Sequence, residues 1–241
     1  MKAIFKREFR SYFTSPIGFA VLAIFYIISG LLFAVYFEAG QPDLSGIFSP
    51  GLFLCALIII PILTMRLFSE ERHQKADQLV MTAPVKITSV VLGKFFAALA
   101  VYAIAVGITF VYQIIITFYI TPDWMVFFGN FIGILVFGAS LIAMGMFIST
   151  LTELQVVVAV ATYAAELGLV LIPSFVVTFL GQMSNTFANY VVKIFEGMSI
   201  LDRFSNFTNG TLNYSDVFFF VSLAVLFIFF CITAIDRRRY A

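Results

Sequence analysis

The chain has 241 residues, of which 62% are hydrophobic and 11% charged, and its 14 basic and 13 acidic side chains leave a formal net charge of +1. A soluble domain is typically about 45–50% apolar and about 25% charged, so a mean hydropathy of +1.05 and 31 phenylalanines leave too little polar surface to face water. A cytosolic enzyme, a nucleic-acid-binding module and a disordered chain are excluded, and the two cysteines, Cys55 and Cys231, sit in apolar runs that offer no disulfide framework or metal cluster.

A helix needs about 20 apolar residues to cross hydrocarbon, and only a helix satisfies its own backbone there. The chain starts with a different pattern. From Lys2 to Phe13, Ile4, Phe5, Phe9, Tyr12 and Phe13 recur at helical spacing against Lys6, Arg7 and Arg10, which predicts an amphipathic helix over residues 1–14 lying along a membrane interface. The alternative is an ordinary basic flank. Six apolar stretches then follow: Pro16–Phe37, Ile47–Phe68, Ser89–Tyr119, Met125–Leu151, Val156–Gly181 and Val217–Ile235. Pro50 and Pro61 predict a kink or a late start in the second. The first run is too long for a cleaved secretory signal and is followed by five others, so it reads as retained.

Lys2, Lys6, Arg7 and Arg10, then Arg66, Arg72, Lys75 and Lys86, and finally Arg237, Arg238 and Arg239 fall on one side of a six-span chain. The opposite connections carry Glu38, Asp43 and Asp123, and a longer one balances Lys193 and Arg203 against Glu196, Asp202 and Asp216. The positive-inside rule then puts both termini in the cytoplasm. The longer outer segment, residues 183–216, has Phe187, Val191, Ile194, Phe195, Met198 and Leu201 at helical spacing, so an amphipathic or re-entrant piece is expected there. An extracytoplasmic auxiliary protein docking on it is the sharper alternative.

The polar peak is the loop 69–86, where Glu70 and Glu71 precede an apolar knob, Leu79-Val80-Met81, and Pro84 closes the run. A short cytoplasmic helix is expected, and the knob reads equally as a docking surface or as a tip dipping into headgroups. Within the fifth span Glu166 falls near the bilayer midplane, where a carboxylate is costly, so it must face protein or water. It is either a group in a translocation path or a hydrogen-bonded tie, with Gln113 and Thr162 as candidate partners. Lys94, near the inner end of the third span, is expected to snorkel to the headgroups. Gly133, Gly138, Gly145, Ala139 and Ala143 give the fourth span small faces for close helix packing.

The run Glu70-Glu71, then Leu79-Val80-Met81-Thr82-Ala83-Pro84-Val85 and Leu92-Gly93-Lys94, resembles the cytoplasmic loop of ABC-2-type transporter permeases. Ser149-Thr150-Leu151-Thr152-Glu153-Leu154-Gln155, Leu201-Asp202-Arg203-Phe204 and Asp236-Arg237-Arg238-Arg239-Tyr240 are similar to other family segments in the same order. The likeness runs toward the permeases of gliding-motility and nitrous-oxide-reductase-maturation exporters. Three positions depart: the family usually has Gly-Thr where Lys75-Ala76 stand, and Glu where Gln78 stands.

The resemblance implies an all-α membrane protein of the bacterial inner membrane: one transmembrane domain over residues 1–241, six transmembrane helices, and a coupling helix in the loop 69–86. Glu70, Glu71, Gln78, Leu79, Val80, Met81, Thr82 and Pro84 would then contact a cytoplasmic ABC ATPase dimer, beside a second permease subunit, identical or homologous. No Gly-x-x-x-x-Gly-Lys-[Ser/Thr] occurs, so ATP and Mg²⁺ would be held by the ATPase and the chain itself would be no enzyme. The competing reading is a stand-alone channel or proton-coupled carrier built on Glu166.

Overall fold

The computed structural model describes residues 1–40, 44–73, 75, 86–181, 186–211 and 213–239, and every regular element among them is helical. Six helical stretches are long and apolar enough to cross a membrane. They are α2 (Pro16–Glu38), the run from Ile47 to His73, the run from Ile87 to Thr117, α7 (Trp124–Ser149), α8 (Gln155–Leu180) and α11 (Tyr214–Arg239). Around them stand α1 (Lys2–Thr14), and the pair α9 (Thr186–Met198) and α10 (Ile200–Thr208).

The termini of these helices follow from local chemistry. Ser15 lies in extended backbone between α1 and α2, and its hydroxyl accepts from the Ile17 amide while Pro16 fills the first helical position. Asp123 caps α7 by accepting from the amides of Met125 and Val126 at 2.9 and 3.4 Å. In the second span Ser49 has extended backbone at Pro50, so a π-helical turn (Ile47–Leu52) precedes α3 (Phe53–Thr64), as its prolines lead one to expect. The run continues through a tight turn into α4 (Ser69–His73). The third span runs from Ile87 to Thr117 as the sequence leads one to expect, with Gly107 in right-handed helical backbone joining α5 (Ile87–Val106) and α6 (Ile108–Thr117).

The fourth span is the hub. α7 packs on α3, α5, α8, α10 and, most extensively, α11. Its glycines make these approaches close: a β-carbon at Gly133 would run into the Phe207 ring, one at Gly138 into Tyr102, and one at Gly145 into Thr64 and Thr162. Gly133 thus admits α10, Gly138 admits α5, and Gly145 admits both α3 and α8, the arrangement small faces permit where apolar burial alone gives no drive for helices to associate. By contrast, α2 and α11 leave most of their surface uncovered.

Candidate functional site

Where α1 meets α4 and α5, four charged side chains form one network. Lys94, from the second turn of α5, is 1% exposed. Its ammonium donates to the Leu67 carbonyl at 2.7 Å and lies 3.0 Å from Glu71 Oε1 and 3.4 Å from Glu8 Oε1, over the Phe68 ring at 5.1 Å. Three N–H donors therefore find three oxygen acceptors, which is what a buried ammonium requires. Arg7 closes the network from its solvent side, donating to Glu8 at 2.6 Å and to Glu71 at 2.8 Å. The hydrogen bond to Glu8 holds the Arg7 guanidinium above its ordinary value, against the opposing effect of burial.

The expectation that Lys94 snorkels to the headgroups is thus corrected. Its side chain turns into the protein because two carboxylates and a carbonyl outcompete water at that depth.

Glu70 pairs in the other direction. Arg66 donates to both of its oxygens, at 2.7 and 3.0 Å, and to the Ser15 hydroxyl at 2.5 Å, so the α1–α2 corner is bound to the end of the second span. Tyr12 adds a donor bond to the Leu63 carbonyl at 3.0 Å, and its burial pushes the phenol above its usual range, keeping that proton in place. On the far side, the Ser149 hydroxyl accepts from the Phe68 and Ser69 amides, satisfying the free N–H groups at the start of α4. Arg72 reaches the Thr150 carbonyl and Glu153 at 3.0 and 3.1 Å.

The short helix α4 is consequently fastened to α1, to α5 and to the α7–α8 connection. Glu70 and Glu71, singled out in the sequence, belong to this fastening. After α4, Lys75 has a left-handed backbone, φ 55°, with its amide bonded to the Arg72 carbonyl. Gln78, Leu79, Val80, Met81, Thr82 and Pro84 lie outside the described residues.

Glu8 was not among the residues singled out from sequence, although a signal exists. Ile4, Glu8 and Tyr12 stand four apart on the inward row of α1, so the one carboxylate of that helix occupies an apolar stripe. An acid in such a row asks for a buried cation, and Lys94 is it.

Glu166 sits elsewhere, in the row Val158, Thr162, Glu166, Val170 and Pro173 that α8 buries against its neighbours. It is fully buried, and neither carboxylate oxygen has a hydrogen-bond partner among the described residues; the Thr162 hydroxyl also lacks one. The tie to Gln113 or Thr162 expected from sequence is therefore not formed.

At the opposite end of the bundle Asp216 accepts from Arg203 at 2.8 Å and from the Asn206 amide at 2.9 Å, while Arg203 also donates to the Gly197 carbonyl and lies 4.4 Å from the Phe219 ring centroid. These contacts fasten α9 and α10 onto the start of α11. Among the described residues no group of acidic, histidine and cysteine side chains could hold a metal ion.

With this geometry in view, the chain was compared with known proteins: no protein-family model matches it, and no curated protein matches it in sequence. What the fold itself defines is a six-span helical bundle of the multi-pass membrane type.

Proposed function

We propose that the chain is the membrane-spanning permease subunit of an ATP-binding cassette transporter, an exporter, in which partner ATPases hydrolyse ATP and this chain moves the substrate. The observation that carries the reading is the fastening of α4. A segment that receives force from a soluble partner must be rigidly joined to the spans it moves; Glu71 joins α4 to α1 and α5 through Arg7 and Lys94, and Arg72 joins it to the α7–α8 connection. Lys75 adds support: the ABC-2 pattern has glycine at this position, and here the backbone has the left-handed conformation that glycine favours.

In this reading α1 lies on the cytoplasmic interface of a bacterial inner membrane, both termini are cytoplasmic, and Leu79-Val80-Met81 docks into an ATPase that binds ATP and Mg²⁺. A second permease subunit completes the pathway, and α9–α10 cap the outer mouth, where an auxiliary protein docks. Closure of the ATPase dimer pushes on α4, and the ion network passes the movement to α1 and α5 together.

Purification in mild detergent is expected to bring down an ATPase, and replacing Leu79, Val80 and Met81 with Asp to abolish transport-coupled ATP hydrolysis while the protein stays folded. Full transport by the purified chain alone, without nucleotide, sinks the proposal. The unpaired carboxylate of Glu166 favours a second reading, a proton-coupled carrier. In that case Glu166→Gln abolishes transport and nucleotide has no effect on it.

A further inference from the structure

We propose that the outward face of α1 is a binding site for the phosphodiester headgroup of an anionic glycerophospholipid. The helix has three faces, each committed differently. Ile4, Glu8 and Tyr12 turn inward: Ile4 lies against Gly93, Glu8 on Lys94, and Tyr12 on the Leu63 carbonyl. Phe5, Phe9 and Phe13 form a ladder along one side, with centroid separations of 5.7 and 5.0 Å. Lys6, Arg7 and Arg10, with Ala3, Ser11 and Thr14, line a shallow concavity on the third.

The ladder sets the depth at which this third face lies. Phe13 continues edge-on to Phe19 of α2 at 6.1 Å, and Phe19 is 57% exposed on the surface of a membrane-spanning helix. Phe5, Phe9 and Phe13 are half-buried, with Phe9 and Phe13 packed against the core, and the ladder runs from α1 to the exposed Phe19 ring, which puts that helix beside the membrane-spanning surface at the boundary between acyl chains and headgroups. Lys6 and Arg10, one turn apart on the adjoining face, are exposed at phosphate level, with the Ser11 and Thr14 hydroxyls beside them.

Among the described residues no acidic side chain lines the concavity, and the one carboxylate of α1, Glu8, turns inward to Lys94 and Arg7. A ligand here meets the ammonium of Lys6 and the guanidinium of Arg10, with the Ser11 hydroxyl beside them, next to an aromatic surface, while Arg7 is held by Glu8 and Glu71 and the Thr14 hydroxyl by the Arg10 carbonyl. Among occupants, a lipid with an anionic headgroup meets both requirements at once, and the membrane supplies it continuously. The inference rests on the helix and its membrane setting, not on the transporter reading.

The test uses the full chain in neutral detergent, titrated with phosphatidylglycerol or phosphatidylcholine of identical acyl chains, with bound lipid counted by native mass spectrometry. Phosphatidylglycerol is expected to bind preferentially, and Lys6→Gln/Arg10→Gln to weaken it about thirtyfold, from about 1 kcal/mol per basic residue. The charge-preserving Lys6→Arg/Arg10→Lys variant keeps the preference, and high salt reduces it. Equal retention of the two lipids by the unaltered protein overturns the proposal, as does a Gln variant that keeps its preference. So does a Gln variant that loses a cytoplasmic protein partner while lipid binding is unchanged, which would give the face to that partner.

Discussion

Glu8 and Glu71, from α1 and from the short helix α4, converge on one buried ammonium, with Lys94 Nζ 3.4 Å from the former and 3.0 Å from the latter. Neither acid meets it alone, and Arg7 bridges the same two oxygens from outside. Two cations against two carboxylates make the cluster neutral, so its members are strong structural partners only while the set is complete.

Removing the central member should therefore cost more than removing the set. Lys94→Met is expected to destabilise the folded protein by about 3–5 kcal/mol, because two carboxylates lose their buried counterion. The triple variant Glu8→Gln/Glu71→Gln/Lys94→Met recovers part of that loss. Thermal unfolding in detergent measures both, and a triple variant less stable than Lys94→Met contradicts the account.

Gly138 is expected to be intolerant for a reason confined to one contact. A β-carbon there meets the Tyr102 ring, which is buried and held by a hydroxyl bond to the Ile134 carbonyl at 3.2 Å. Gly138→Ala should cost about 1–3 kcal/mol by overpacking. Gly197, in α9 with open space around its β-position, is the control: Gly197→Ala should be neutral or stabilising by about 0.5–1 kcal/mol. Equal melting shifts for the two variants would contradict this assignment.

Lys75 has a side chain where the backbone prefers none. Lys75→Gly is expected to raise stability by about 1 kcal/mol, less the entropy that glycine adds to the unfolded chain. Lys75→Val, β-branched at the same φ, should lower it. The order Gly above Lys above Val in melting midpoint is the outcome that checks the left-handed turn.

Asp216 holds α10 to α11 through Arg203 and Asn206. Asp216→Ala should cost about 1–3 kcal/mol and leave two donors unsatisfied. Hydrogen exchange across α9 and α10 should rise while exchange in α7 stays low; uniform change across the chain would mean that the pair does not act locally.

The spans were readable in the sequence because their signal is compositional: about 20 apolar residues are needed whatever surrounds them, and the observed six begin and end within a few residues of the expected ones. The small residues of α7 were readable for a similar reason, since Gly133, Gly138 and Gly145 admit neighbours whichever those neighbours are. Partners were harder. Lys94 looks like a snorkelling lysine as long as only its own helix is considered, and its true environment depends on two acids far away in the chain. Glu166 shows the converse, since Thr162, one turn away on the same helix, suggested a bond that the packing does not make.

The order of the network along the chain bears on how the protein is made. Glu8 and Glu71 both precede Lys94 in the sequence, so a ribosome releases the two acids before the cation. A lysine whose two counterions are synthesised ahead of it can be paired as soon as its own helix packs against α1 and α4. The buried ammonium of α5 is thus matched by two carboxylates from α1 and α4, both made before it.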